Sequence, residues 1–262
     1  MMLEGDVDAL GLAASLILVG LAIAVSLSQQ LRIERQLVWA TLRAFLQLIV
    51  MGSVLAWLLE PGRSIWYSWA WVAGMVVFAA WTVRARAPEV PDLFPIALAA
   101  IATATVTTMG VLFGLGVFPA EARAIVPLGG MMIGNSLGGT VLAARRVADE
   151  LADKRPEVEA RLALGDSAHR AGRPYARSAI RTAMTPQIEA TKAVGLVFLP
   201  GAMTGLILAG VKPVDAVLVQ AAIMYLILGA VATTSVVVAL GSITRLFTPD
   251  HRLRPLVRRD NA

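Results

Sequence analysis

The stretch 214–243 reads VDAVLVQAAIMYLILGAVATTSVVVALGSI, with one charged residue, Asp215. A helix that crosses a bilayer needs about 20 mainly apolar residues, so this stretch can span with a tilt or project beyond the membrane. The rest of the chain is similar, since 57% of its residues are hydrophobic and 16% are charged. Soluble domains carry about 25% charged residues. The composition predicts an all-α, polytopic integral membrane protein.

Six further stretches have the length and composition of a membrane span. The seven predicted spans are 9–27, 37–59, 65–83, 93–117, 124–144, 188–209 and 214–243. Glycine and polar residues dilute the fifth and sixth. No internal repeat and no second globular pattern is found, so residues 1–262 are expected to form a single transmembrane domain.

Basic residues predict the orientation of these about seven transmembrane helices. The connections after spans one, three and five and the tail after span seven are rich in Lys and Arg, with nine of them between Arg145 and Arg181. The other connections carry only Arg63, Arg123 and Lys212, and the acidic N-terminus carries none. The positive-inside rule therefore predicts the N-terminus outside and the C-terminus in the cytoplasm. It also accounts for the net charge of +5 without a nucleic-acid partner.

Few residues are available for catalysis or metal binding. Cysteine is absent, which excludes disulfides, thiolate metal sites and a cysteine nucleophile. The two histidines, His169 and His251, lie in predicted cytoplasmic segments, apart from the polar residues of the spans. No metal site is predicted, and a membrane enzyme is disfavoured because no nucleophile, base and orienting group converge.

The second span contains an ionisable group. Arg43 and Gln47 are four residues apart and so share one helix face. Charged groups within spans are costly and usually face the bundle interior or a water-filled path. Two interpretations are open: contact with a substrate or gate, or an arginine that reaches the cytoplasmic interface.

The fifth span repeats glycine every four residues, at Gly130, Gly134 and Gly138. This spacing is typical of helices whose backbones approach closely, and it predicts contact with a neighbouring helix or a partner chain. Asn135, Ser136 and Thr140 add polar atoms at membrane depth, and they are predicted to lie along a substrate path.

The sixth span combines a proline with further glycines. Pro200 is expected to interrupt the helix, and Gly201 and Gly205 repeat the close-packing spacing. Glu189 and Lys192 lie three residues apart near the start of this span and can pair with each other.

The segment 145–186 is predicted to be a cytoplasmic insert between spans five and six. Pro156 can start a helix that ends before Gly165, and Asp166 is expected to cap a second, short helix. A basic stripe, broken near Gly172 and Pro174, consists of Arg170, Arg173, Arg177 and Arg181. This stripe fits either an anionic lipid surface or a cytoplasmic protein partner.

Several motifs resemble known transporters. Glu159-Ala-Arg, followed after three residues by Gly165, is similar to the coupling helix of ATP-binding-cassette (ABC) permeases. The chain also resembles the FetB family of iron-export permeases in motifs that follow the same order. These are the Arg43…Gln47-Leu pair, GMMIGNS at 130–136, LALG at 162–165, Thr185-Pro, VGLVFLPGAMTG at 194–205 and LAGVKP at 208–213.

The resemblance implies the permease subunit of an ABC exporter in the cell inner membrane. Relatives are linked to iron export and, in plants, to aluminium tolerance, so the substrate stays open. No GxxxxGK[ST] phosphate loop occurs in the chain, which predicts no cofactor in this chain and ATP bound by a separate ATPase subunit. Glu159, Gly165, Asp166, Arg170 and Arg173 are the predicted coupling residues.

Two further expectations concern partners and mechanism. A permease of this size is expected to pair with a second copy of itself, with the glycine-rich helices in contact. The alternative is a secondary transporter or channel that needs no ATPase, which would favour charges at the membrane midplane or an inverted repeat.

Overall fold

The computed structural model describes residues 9–256, and all regular elements within that range are helical. The acidic residues Glu4, Asp6 and Asp8 and the basic residues Arg258 and Arg259 lie outside the described residues. The helices are α1 (Ala9–Ser28), α2 (Glu34–Leu58), α3 (Trp66–Arg86), α4 (Leu93–Gly114), α5 (Ala122–Asp153), α6 (Arg155–Ala163), α7 (Ala168–Ala193), α8 (Gly201–Leu208) and α9 (Pro213–Leu246).

The chain divides into two compact units, within residues 1–63 and 64–262. The smaller unit is an antiparallel hairpin of α1 and α2. Its turn is fixed by Ser26, whose hydroxyl donates to the Glu34 carboxylate at 2.7 Å and accepts the Ile33 N–H at 3.4 Å. Most side chains of α2 are exposed on the protein surface, as expected for a helix that lipid or another chain covers.

In the larger unit, α5 and α9 pack against each other, and α7 packs against both. α4 packs against α9, and α3 packs against α4 and α5. Glycines allow the closest crossings. A Cβ on Gly139 of α5 would lie 2.8 Å from Val231 of α9, and one on Gly241 of α9 would lie 2.6 Å from Ile96 of α4. A continuous core of small and branched apolar side chains joins these helices.

Among the described residues, five helices are long and apolar enough to cross a membrane: α2, α3, α4, α5 and α9. Each lies where the sequence predicts a span. Within α1, at the first predicted span, the apolar stretch Ala13–Ser28 is shorter than these.

The sixth predicted span, 188–209, is interrupted near Pro200, as expected, and the interruption covers seven residues. α7 ends at Ala193, residues 194–200 are not helical, and α8 covers only Gly201–Leu208. Pro200 is the N-cap of α8, so the interruption begins six residues before the proline.

The insert predicted at 145–186 is continuous with the helical bundle. α5 runs nine residues beyond the predicted end of the fifth span, to Asp153. The second helix of the insert is neither short nor broken, because α7 continues through Gly172, Pro174 and Pro186. Gly172 is buried, and a Cβ there would lie 3.1 Å from Ile243 of α9. It therefore serves close packing and does not end the helix.

Candidate functional site

The turn between α6 and α7 presents an apolar side chain on a rigid backbone. Gly165 has a φ of +93°, its N–H donates to the Leu162 carbonyl, and the Asp166 N–H donates to the Arg161 carbonyl, both at 3.0 Å. This pair of bonds is the Schellman ending of a helix, which requires a residue that tolerates positive φ. Gly165 therefore ends α6, as predicted, while its role in coupling stays a prediction. The preceding residue, Leu164, is 88% exposed.

The predicted N-cap of the following helix is wrong by one residue. The Ser167 hydroxyl, not the Asp166 carboxylate, accepts the Arg170 N–H, at 3.4 Å. Asp166 instead pairs with the Arg170 guanidinium at 3.5 Å. Both residues still bracket the start of α7, and the Arg170 side chain is 78% exposed.

Side chains tie α6 to α7 behind this turn. The Tyr175 hydroxyl on α7 donates to the Glu157 carboxylate on α6 at 2.9 Å. Burial raises the pKa of Tyr175, and the bond to Glu157 raises it further. On the outer side of α6, Arg155 and Glu159 pair at 2.7 Å. Glu159, a predicted coupling residue, is therefore engaged within its own helix.

α7 is amphipathic along its N-terminal half. Ala171, Tyr175 and Ala179 are buried against the core. The predicted basic stripe, including Arg173, lies on the exposed side. The Ser178 hydroxyl of α7 donates to the Glu150 carboxylate of α5 at 2.9 Å. This bond fixes the helix that follows the turn to the long helix α5.

The polar residues predicted to lie along a path in α5 divide between two faces. Ser136 and Thr140 are buried, and the Thr140 hydroxyl donates to the Ser136 carbonyl at 2.6 Å. Asn135 is exposed, and its amide donates to the Met131 carbonyl at 2.8 Å. The three side chains therefore do not form one continuous polar surface.

The glycine repeat lies beside Asn135 on the exposed face of α5. A Cβ on Gly130 would lie 3.1 Å from Met75 of α3, whereas one on Gly134 or Gly138 would meet no atom of the described chain within 4 Å. Gly201 and Gly205 of α8 are equally open. A groove of about 500 Å³ between α3 and α5 includes Gly130 and Gly134 in its lining.

Arg43 and Gln47 lie exposed on α2. Neither side chain makes a hydrogen bond or an ion pair with the described part of the chain. Because a bare guanidinium in lipid is costly, the face that carries Arg43 requires water, a lipid headgroup or protein beside it.

The interruption between α7 and α8 is a tight loop with apolar side chains on its outside. Gly195, with a φ of +86°, donates its N–H to the Phe198 carbonyl at 3.0 Å, and the Val197 N–H donates to the Ala193 carbonyl at 2.9 Å. Leu196 and Val197 are 93% and 80% exposed. Glu189 and Lys192 pair at 2.8 Å before the loop, as predicted.

Gln220 is among the buried polar residues that the sequence reasoning missed. This residue of α9 is 3% exposed, and its Oε1 atom has no hydrogen-bond partner among the described residues. A buried amide oxygen without a partner costs free energy. The signal was available, because Gln220 is the only amide side chain in the stretch 214–243.

The fold and composition define a multi-pass helical membrane protein. The chain belongs to the UPF0014 family, an uncharacterised protein family whose model matches residues 9–247.

Its relatives come from plants and bacteria. The chain is 37% identical over 223 residues to the UPF0014 membrane protein STAR2 of Oryza sativa subsp. japonica, covering 85% of this chain and 78% of the relative. It is 35% identical over 224 residues to Protein ALUMINUM SENSITIVE 3 of Arabidopsis thaliana, covering 86% and 82%. It is 28% identical over 246 residues to the Probable iron export permease protein FetB of Escherichia coli (strain K12), covering 92% and 93%. No solved structure matches the chain.

Proposed function

We propose that this chain is the membrane-spanning permease subunit of an ABC-type transporter. It exports iron or another metal-related solute across the cell inner membrane, and a separate cytoplasmic subunit binds and hydrolyses ATP. The name of the FetB relative supports the class of substrate. The names of the plant relatives point to aluminium sensitivity or to no solute, so the proposal is not restricted to iron.

The exposed turn between α6 and α7 carries this proposal. Leu164 projects from a backbone that the Schellman bonds and the Tyr175–Glu157 bond hold in place. Transferring one leucine side chain from water into an apolar pocket stabilises a complex by about 1.5–3 kcal/mol. Side chains that are fully buried near the centre of an interface carry most of its binding energy. The turn is therefore suited to dock into a groove of an ATPase subunit.

The absence of a phosphate-loop motif from the sequence supports the proposal that a separate subunit binds and hydrolyses ATP. In this proposal the chain itself is not an enzyme and holds no cofactor. The α6–α7 turn and the tail face the cytoplasm, in agreement with the distribution of basic residues. The permease forms a homodimer, for which the open glycines Gly134 and Gly138 offer a surface of close approach.

The first experiment is purification of the tagged chain from native membranes, followed by mass spectrometry of proteins that accompany it. We expect a stoichiometric ATPase with a phosphate loop. Leu164→Asp should weaken its binding about 10- to 100-fold, the loss expected for one buried leucine.

Arg84→Ala is the matched control. It lowers the net charge by the same one unit at an exposed position of α3, outside the basic stripe, and it should leave ATPase binding within twofold of wild type. Equal binding by the Leu164→Asp variant and wild type would overturn the assignment of the turn.

A second candidate function, ATP-independent transport, is favoured by the interruption at 194–200. Secondary transporters place substrate sites at discontinuous helices, and the loop residue Val194 and Val219, next to Gln220, belong to the same apolar cluster. Solute transport by the purified chain in vesicles, driven by an ion gradient without ATP, would support this candidate. Transport that requires the ATPase and ATP would exclude it.

A further inference from the structure

The chain after α9 folds back as a short hairpin, here called the tail hairpin, residues 247–254. Phe247 and Leu253 form an antiparallel bridge. The Thr248 N–H donates to the Arg252 carbonyl at 2.8 Å, and the Arg254 N–H donates to the Leu246 carbonyl at 2.9 Å. Phe247 and Leu253 are 4% and 5% exposed. The hairpin is therefore anchored in the core and is not a free basic tail.

The tail hairpin contacts both helices that flank the exposed turn. The N–H of Ala168, the first residue of α7, donates to Nδ1 of His251 at 3.3 Å. The guanidinium of Arg155, the first residue of α6, donates to the carbonyls of Leu253 and Arg254 at 3.4 Å each. Three contacts thus connect the hairpin to the starts of α6 and α7.

The contact with His251 satisfies a group that α7 cannot satisfy internally. The first N–H groups of a helix have no partner within the helix, and the hydroxyl of Ser167 accepts the N–H of Arg170 only. Nδ1 accepts this bond in the tautomer whose hydrogen is on Nε2. His251 has a φ of +56°, a conformation that Asn adopts readily and that Gly adopts without strain.

We infer that the tail hairpin positions the α6–α7 turn for its partner, with His251 and Arg155 as positioning residues. This inference rests on the proposed function, because the partner is the ATPase subunit. The hairpin fixes the start of each helix, while Leu164 between them makes the contact. Loss of the hairpin contacts does not remove Leu164, but it allows the turn more orientations. Docking must then remove this added conformational freedom, which lowers the affinity for the ATPase subunit.

The test compares three full-length chains in complex with the co-purifying ATPase: wild type, His251→Gly and His251→Asn. Gly keeps the positive φ and removes the acceptor, whereas Asn keeps the positive φ and offers Oδ1 as an acceptor. We expect His251→Gly to raise hydrogen–deuterium exchange at the start of α7 and to weaken ATPase binding about three- to tenfold, the effect of one hydrogen bond. His251→Asn should restore both.

Arg155 gives a second, independent test. Arg155→Ala removes the contacts with the tail hairpin and the pair with Glu159, whereas Lys154→Ala removes the same charge at the neighbouring residue and an ion pair with Glu157. Only Arg155→Ala should weaken binding. Wild-type binding by both His251→Gly and Arg155→Ala would overturn the inference, and so would a His251→Asn chain that behaves like His251→Gly.

Failure of the proposed function can be distinguished from failure of the positioning role. If no ATPase binds the wild-type chain, the proposed function fails, while faster exchange at the start of α7 in His251→Gly would still confirm the contact. If the ATPase binds all the variants equally, only the positioning role fails.

Discussion

The start and the end of α7 are stabilised in different ways. At its start, side chains from three segments satisfy or brace the helix: Ser167, His251 of the tail hairpin and Glu157 of α6. At its finish, backbone bonds of the loop 194–200 take this role, and the loop side chains Leu196 and Val197 project outward. One end of the same helix is thus held by polar side chains and the other by backbone bonds within an apolar surface.

This difference fits two different surroundings. Water competes for every polar group, so an ordered turn in water needs several side-chain bonds to hold one conformation. In lipid, exposed backbone groups have no water to bind, so an interruption there needs compact internal bonds and an apolar exterior. The difference supports the proposed topology, in which α7 starts at an aqueous surface and finishes at membrane depth.

The largest expected effect comes from the crossing of α5 and α9, because α7 packs against both helices. Gly139→Val places a Cβ 2.8 Å from Val231 and 3.8 Å from the Ala183 carbonyl of α7. Overpacking of this kind costs about 1–3 kcal/mol, so the midpoint of thermal unfolding in detergent should fall. The start and the end of α7 should be destabilised together. Gly110→Val in α4 is the control, because a Cβ there meets no atom of the described chain within 4 Å. Equal losses of stability in the two variants would contradict the crossing described at Gly139.

The second-largest expected effect distinguishes the start of α7 from its end. Gly165 and Gly195 have φ values of +93° and +86°, so valine at either position costs about 1–2 kcal/mol of backbone strain. We expect similar losses of thermal stability in Gly165→Val and Gly195→Val. Only Gly165→Val should reduce ATPase binding and solute-stimulated hydrolysis, since it moves Leu164. A Gly195→Val variant that loses ATPase binding to the same extent would remove the distinction between the ends.

A smaller effect is expected at the bond between α6 and α7. Tyr175→Phe removes the donor to Glu157, which should lower the free energy of unfolding by about 1 kcal/mol. The loss stays near this value because the Glu157 side chain is 60% exposed and can bind water instead. Chemical denaturation in detergent measures it. Thr185→Val, which removes a hydroxyl bonded within α7, should change the stability by less than half as much.

The smallest effect is on pH dependence. The pKa of Tyr175 is raised by burial and by Glu157, so the folded chain holds the phenol proton more tightly than the unfolded chain. Its contribution to stability is complete below the ordinary tyrosine pKa of about 10 and is lost as the pH rises through the higher folded value. Difference absorbance between wild type and Tyr175→Phe isolates this titration. Glu157→Gln should move the pKa only part of the way back, because burial remains.

Local signals in the sequence predicted the local structure well. Pro156 and Gly165 bracket α6 nearly as expected, since helix starts and Schellman endings depend on a few neighbouring residues. Five of the predicted spans are long apolar helices for the same reason, because length and composition determine them.

Tertiary contacts account for what the sequence did not reveal. Gly172 and Pro174 predicted a break, but burial of Ala171 and Tyr175 against the core keeps α7 helical. Hydropathy over 188–209 merged the end of α7, a loop and α8, because an apolar average contains no information on backbone continuity.

The candidate site was only partly predictable. The glycine spacing identified the correct helix, yet the residue that meets α9 is Gly139, next to the repeat. The spacing of glycines along a helix does not determine which face of that helix the neighbouring helix contacts. The contacts of the tail hairpin join residues more than 80 positions apart, and no local pattern predicts them.

α5 has a mechanical consequence. Its 32 residues form one helix, about 48 Å long at 1.5 Å per residue, which reaches from the predicted outer surface to the start of α6. A rotation of about five degrees around its outer end would displace its inner end by about 4 Å at that length. α5 can therefore act as a lever arm, so that a small tilt among the spans becomes a displacement of the docking turn comparable to the width of a side chain.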